Sequence, residues 1–267
     1  MSNLLQRFRS ELRRTLFNDS VNLFYFFSMI IWPIISFVQV NYNLRVFPLA
    51  TIKITGISTE QTLFYFIFIG YSAYILFQNV TQSCWRLGEE RTQGTLSQIF
   101  MAPVNKLAWL YSRSFAMLWS NTWFFVLIFI FGNFWFMSIS GQHLGLIVLS
   151  LFLLVLATWI WGAFISVFFI ILRDGTVLFV FLEGPQDTFS GIQVPLAISP
   201  RLVRMIGSIF PLSYSVTLLR CILLKHQILS NTFVIFVGIN LFLIVVTVIT
   251  LKKGERHMRV SGNFDLY

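Results

Sequence analysis

Long apolar runs alternate with short polar breaks along this chain. A run of about 20 apolar residues crosses a bilayer as a helix. The pattern predicts six spans, at about 21–40, 62–83, 115–137, 144–172, 176–190 and 232–251. Residues 41–61 are a polar connection. Ser140-Gly141-Gln142-His143 and Arg173-Asp174-Gly175 are tight polar turns. Pro33 predicts a kink in the first span. The second span ends on Gln78, Asn79, Thr81, Gln82 and Ser83. Side-chain amides are costly in lipid, so that end is expected to face protein or water.

Two stretches break the rhythm. Within residues 1–18, Leu4, Leu5, Phe8, Leu12 and Leu16 form a helical apolar stripe flanked by Arg7, Arg9, Arg13 and Arg14. This predicts an amphipathic helix lying in the headgroup plane, a basic leader that only sets topology being the alternative. No small-residue cleavage site follows, so the first apolar run is expected to stay as a span. Residues 191–229 are apolar but broken by Pro195, Pro200, Gly207 and Pro211, and carry Arg201, Arg204, Arg220 and Lys225. They predict two short helices that dip into the membrane and return. A seventh full crossing at 202–224 is the competing count.

Between the second and third spans lies Gly88-Glu89-Glu90-Arg91-Thr92-Gln93-Gly94-Thr95-Leu96-Ser97-Gln98-Ile99-Phe100-Met101-Ala102-Pro103. Thr95 and Gln98 stand at capping-box spacing after Gly94. Leu96, Ile99 and Phe100 share one helical face, and Pro103 marks a stop. A short amphipathic helix and an ordinary polar loop both fit this pattern.

Composition supports the all-α polytopic membrane class. The 267 residues are 57% hydrophobic and 11% charged, about half the charge of a soluble domain. The excess of 19 basic over 10 acidic residues fits anchoring at anionic headgroups rather than nucleic acid. Six spans put both termini on one side. Of the 19 basic residues, 13 fall on that side: four in the N-terminal segment, Arg86, Arg91, Lys106 and Arg113 around the 88–103 loop, Arg173, and four in the tail from Lys252 to Arg259. Basic loops stay cytoplasmic, so both termini and the 88–103 loop are assigned there. Cys84 and Cys221 are far apart and read as isolated buried or interfacial thiols.

The chain has no GxxxxGK[ST] loop, no HExxH and no GxSxG. It is therefore expected to be no enzyme and to hold no cofactor. Glu183 falls within the fifth span beside Gly184 and Pro185, with Asp187 beyond. An ionisable residue at that depth is a candidate for the transport path or gate. The alternatives are an ion pair with Arg201 or Arg204, or an aqueous vestibule. Gln78, Asn79, Asn121 and Asn133 are expected to be interhelical hydrogen-bond partners.

Taken in order, these features resemble the ABC-2 type transporter permeases. In that family an acidic-basic run, Gly-Thr-Leu, an apolar pair and Pro follow the second span. Here they read Glu89-Glu90-Arg91, Gly94-Thr95-Leu96, Ile99-Phe100 and Pro103. The second half is similar too, with Ser190-Gly191, Pro195, Pro200, Pro211-Leu212-Ser213-Tyr214 and Leu219-Arg220. The resemblance spans nearly the whole chain. It implies a multi-pass permease of a bacterial inner membrane, dimeric with an identical or paralogous permease and paired with separate P-loop ATPase subunits that hold ATP and Mg. The helix at 88–103 would sit in a groove of the ATPase, through Leu96, Ile99 and Phe100 with Glu89, Glu90 and Arg91 at the rim. The region 191–229 would form an outer re-entrant hairpin, placing Ser190, Gly191, Pro211 and Tyr214 near the path. Cargoes in the family are drugs, antimicrobial peptides and lipid-linked glycans, and the aromatic content leans towards an amphipathic drug, peptide or lipid. The family's fifth span is usually apolar, so no family role is carried to Glu183. The rival class is a secondary transporter or channel using Glu183 as an ion or proton site. A structural or sensory membrane subunit is a third.

Overall fold

Residues 60–102, 104–136, 141–171, 175–196, 199–225 and 230–261 are described in the computed structural model. Before them only Arg9, Ser10, Arg13, Phe27, Ile31, Ile34, Ile35, Phe37, Val38, Gln39 and Tyr42 are described, all helical. The expected interfacial helix at 1–18 and the course of the first span otherwise lie outside the described residues. Some further side chains within the helices also lie outside them.

The described chain is helical, with no strand among the described residues. The helices are α1 (Glu60–Thr92), α2 (Thr95–Met101), α3 (Lys106–Phe136), α4 (Gly141–Ile171), α5 (Gly175–Phe189), α6 (Arg201–Gly207), α7 (Pro211–Lys225) and α8 (Ser230–Ser261). Three of them contain stretches long and apolar enough to cross a membrane, Gln61–Thr81, Leu144–Ile171 and Ser230–Arg256. The pair α6 and α7, bent by 99°, would add a fourth if it counted as one span.

Several boundaries differ from the hydropathy pattern. α1 runs without a break through the polar Gly88–Thr92 segment, so the second span and the start of the loop are one helix. α3 begins at Lys106 rather than near residue 115. α8 continues through the basic tail to Ser261. Glu, Lys and Arg are good helix formers, so charge ends the apolar run without ending the helix. The 191–229 region does contain two short helices, as expected.

α1 and α4 form the centre. α4 packs against α1, α3, α7 and α8, while α1 also packs against α2, α3, α5 and α7. A bundle in lipid gains little from the hydrophobic effect, so close packing and interhelical hydrogen bonds hold it together. Both occur here. Ser114 donates to the Trp159 carbonyl at 3.0 Å, and the Trp159 indole donates to the Tyr111 carbonyl at 2.9 Å. Tyr65 donates to Asn133 at 2.6 Å, giving Asn133 the interhelical role expected of it. Phe37 stands edge-on to Phe64 with centroids 5.0 Å apart, which brings the first predicted span against α1. Cys84 and Cys221 are both buried, and neither forms a disulfide.

At Gly162, α4 comes close to both α1 and α3. A Cβ there would press into Val80 of α1 and Ser114 of α3. Gly162→Val is therefore expected to cost about 1–3 kcal/mol through overpacking. Thermal unfolding in detergent would show it as a lowered midpoint.

Candidate functional site

Two regions of this bundle carry the residues singled out by the sequence, and they lie at opposite ends of α1. Phe66 and Gly94 are separated by about 40 Å at the helical rise per residue.

At one end, α1 stops at Thr92 and the chain turns through Gly94, whose φ of 71° is left-handed. That conformation suits glycine and closes a helix. α2 starts directly after it, with Gly94 itself at the N-cap and no side-chain cap. The N-cap is therefore Gly94 rather than Thr95, which is already the first helical residue.

Lys106 terminates α2. Its ammonium donates to the carbonyls of Ile99 at 2.8 Å and Ala102 at 2.6 Å, and lies 5.7 Å from the centroid of the Phe100 ring. A cation at a helix C-terminus satisfies its orphan carbonyls and opposes its dipole. Phe100 is buried against Trp109, their centroids 6.2 Å apart. Ile99 is half-buried against the same core. Met101 is 70% exposed, and Gln98 is exposed as well. α2 is thus held to this chain through Phe100 and Ile99, and it turns Gln98 and Met101 outward. The side chains of Glu89, Arg91, Thr95 and Leu96, and all of Pro103, lie outside the described residues.

Glu90 forms an ion pair with Arg113 of α3. Their side chains are only 14% and 6% exposed. Glu90 therefore links the end of α1 to α3 inside the chain. Gly88 faces Phe169 of α4, and Gly254 of α8 faces Ile171. The ends of four long helices are gathered around this region.

At the other end, Ser190 and Gly191 follow α5 in a non-helical turn. Gly191 has φ 77°, a left-handed value that favours glycine. The Arg220 guanidinium of α7 holds this turn. It donates to the carbonyls of Gly191 at 2.7 Å, Ile192 at 2.5 Å and Phe66 at 3.3 Å. It also lies 3.5 Å from the centroid of the Phe66 ring. Arg220 is 8% exposed and makes no ion pair among the described residues. Its partners are backbone dipoles and one aromatic face.

The Pro-Leu-Ser-Tyr stretch makes the bend between α6 and α7. Pro211 opens α7, where a missing N–H costs nothing. Ser213 donates to the Gly207 carbonyl at 2.6 Å, and Tyr214 donates to the Ser208 carbonyl at 3.1 Å. Both carbonyls belong to the end of α6, so the motif ties the two helices at their corner. Pro200 precedes α6 at its N-cap.

Glu183 sits between these ends. It accepts a hydrogen bond from Gln78 of α1 at 2.5 Å. Among the described residues it pairs with this amide and not with Arg201 or Arg204. Ser190 is buried close to the held turn, one helical turn or so beyond Gln186. The structure thus brings Gly191 to Arg220, with Ser190 buried next to it in the chain, and Pro211 and Tyr214 to the α6–α7 corner, as two separate clusters.

In the sequence Lys106 and Arg113 stand only as topology charges, and Arg220 only as a charge of the 191–229 region and part of a Leu-Arg pair. Their partners are backbone carbonyls and a carboxylate 23 residues away. The one sequence signal for them was basic residues next to long apolar runs. Compared with known proteins, the chain matches no family model and no curated sequence.

Proposed function

We propose that this chain is the permease subunit of an ATP-driven exporter of the ABC-2 type. In this reading it has six spans, with α6 and α7 forming an outer re-entrant hairpin and both termini cytoplasmic in a bacterial inner membrane. Two permease chains, identical or paralogous, pair with two P-loop ATPase subunits. ATP and Mg belong to those subunits and supply the free energy. The cargo is an amphipathic drug, antimicrobial peptide, lipid or lipid-linked glycan.

One observation carries the reading. A seven-residue helix is fixed between two long helices, and the first of those helices continues to the pinned turn at the other end. A chain without a nucleotide site needs such a part to receive force from outside. α2 would receive it through Gln98 and Met101. Phe100 on Trp109, Lys106 on the α2 carbonyls and Glu90 on Arg113 make α1, α2 and α3 move together. α1 then carries the displacement to Phe66, where Arg220 joins it to the Gly191–Ile192 turn. The path between two permeases would open beside that hairpin, past Ser190 and Glu183. Apolar contact supplies affinity at such a docking surface and charge sets its register.

Because Phe100 is internal, docking is tested at Met101. Met101→Glu is expected to leave the unfolding midpoint of the isolated permease unchanged, as exposed substitutions usually do. It should weaken association with the ATPase by roughly tenfold and lower cargo-stimulated ATP hydrolysis accordingly. Unaltered association and stimulation in that variant would remove α2 from the docking surface. A secondary transporter or channel would move cargo or ions with no ATPase present, and reconstitution of the chain alone separates that rival.

A further inference from the structure

Gln186 and Asp187 fall three and four residues after Glu183 near the end of α5. That spacing puts them on one helical face. The face meets α1, because Glu183 bonds Gln78 and a narrow crevice there is lined by Tyr74, Gln78, Thr81, Glu183 and Gln186. The crevice has room for roughly one water-sized particle.

Gln186 is the unusual member. It is 1% exposed, and neither its Oε1 nor its Nε2 meets a partner among the described residues. A buried amide left in that condition costs free energy, so it implies something at the crevice to meet it. The neighbouring oxygens are set as acceptors. Thr81 donates its hydroxyl proton to the Phe77 carbonyl at 2.9 Å, which leaves its lone pairs free. Gln78 uses its NH2 on Glu183, so its carbonyl oxygen is an acceptor too. Glu183 adds its carboxyl oxygens. Asp187 lies four residues on, and neither carboxylate forms an ion pair among the described residues. Two like charges at that spacing repel each other, the more so away from water.

We propose that this crevice binds one monovalent alkali cation between α1 and α5. The donors are Glu183 carboxylate, the Gln186 and Gln78 amide oxygens and the Thr81 and Tyr74 hydroxyls. Oxygen donors of this kind suit hard cations. A single carboxylate in direct reach, with Asp187 outside the crevice, matches one positive charge better than two. The cation offsets the repulsion within α5 and ties it to α1, fixing the separation of the two helices. It does so whether or not an ATPase drives the chain.

The test uses the purified full chain in detergent at constant ionic strength, with the salts compared at each of several pH values. Radiolabelled sodium binding and the unfolding midpoint are read in sodium chloride, potassium chloride and N-methyl-D-glucamine chloride. The expected result is saturable sodium binding and a midpoint raised by an alkali cation but not by the bulky amine. Glu183→Gln, which keeps the size of the side chain, should weaken binding by at least about tenfold. Asp187→Asn should weaken it less. No saturable binding to the wild-type chain would overturn the proposal, as would full binding retained in both variants. A midpoint that follows pH alone, with no alkali-cation effect, would assign the crevice to a proton or a water and also overturn it. Each of these readouts concerns the permease by itself, so their failure leaves the ATPase reading standing.

Discussion

Arg220→Met unfolds the α6–α7 pair at lower temperature and frees the turn at residues 190–192. The native guanidinium satisfies the carbonyls of Gly191, Ile192 and Phe66 at once, and packs on the Phe66 ring. Methionine fills much of the volume but donates nothing. Hydrogen bonds to a charged donor contribute more than neutral ones, and each carbonyl left unmet in a buried site carries its own penalty. Removing the charge also removes its desolvation cost, which offsets part of the loss. The net expectation is a loss of about 3 kcal/mol. Gly70 sharpens the point, because a Cβ there would lie 2.5 Å from the Arg220 Nη2 and 2.6 Å from the Ile192 carbonyl. The arginine thus occupies a space that α1 leaves open for it. Hydrogen exchange would report the loss locally, as faster exchange at 190–196 with little change near Gly94. Arg220→Lys should recover only part of the stability, since an ammonium cannot span three carbonyls in the planar geometry of a guanidinium.

The second large effect is at the opposite end. Arg113→Met removes the cation that Glu90 meets across the α1–α3 contact. The remaining carboxylate is mostly buried, and breaking one side of a buried pair costs about 3–5 kcal/mol. The lower end of that range applies here because Glu90 keeps some contact with solvent. The double variant Glu90→Leu with Arg113→Met is expected to recover to within about 1 kcal/mol of the wild type, as paired apolar replacements often do. Denaturation of all four proteins closes the double-mutant cycle, with a coupling energy of at least about 2 kcal/mol. Glu90 acting only at the rim of a partner protein would give a coupling energy near zero in the isolated chain. The stable double variant then becomes a probe of transmission, because α1 and α3 would no longer be tied at the end where α2 joins them.

The helical class and the two short helices after residue 190 were legible in the chain because apolar runs and prolines report them directly. Interhelical roles for Gln78 and Asn133 were legible too, since an amide at membrane depth has few other uses. Helix ends were not. A hydropathy pattern ends a span where charge begins, yet Glu90 and Arg113 neutralise each other and Lys106 caps α2. The helices therefore continue past the charges. The amphipathic face of α2 was visible, but periodicity does not say what an apolar face packs against, and for Phe100 the answer is Trp109 of the same chain. Arg220 was hidden for a related reason. Its acceptors are backbone carbonyls of a non-helical turn, which any residue could supply.

The central claim is that α2 docks on a nucleotide-binding partner. Both native cysteines are buried, so Met101→Cys places one reactive thiol on the outward side of α2. Cross-linking from that thiol in native membranes, followed by mass spectrometry, is the most direct measurement. The account predicts a covalent product with a P-loop ATPase subunit, its yield altered when ATP and vanadate are added. Transport-competent membranes in which this thiol reacts but joins no nucleotide-binding protein would contradict it.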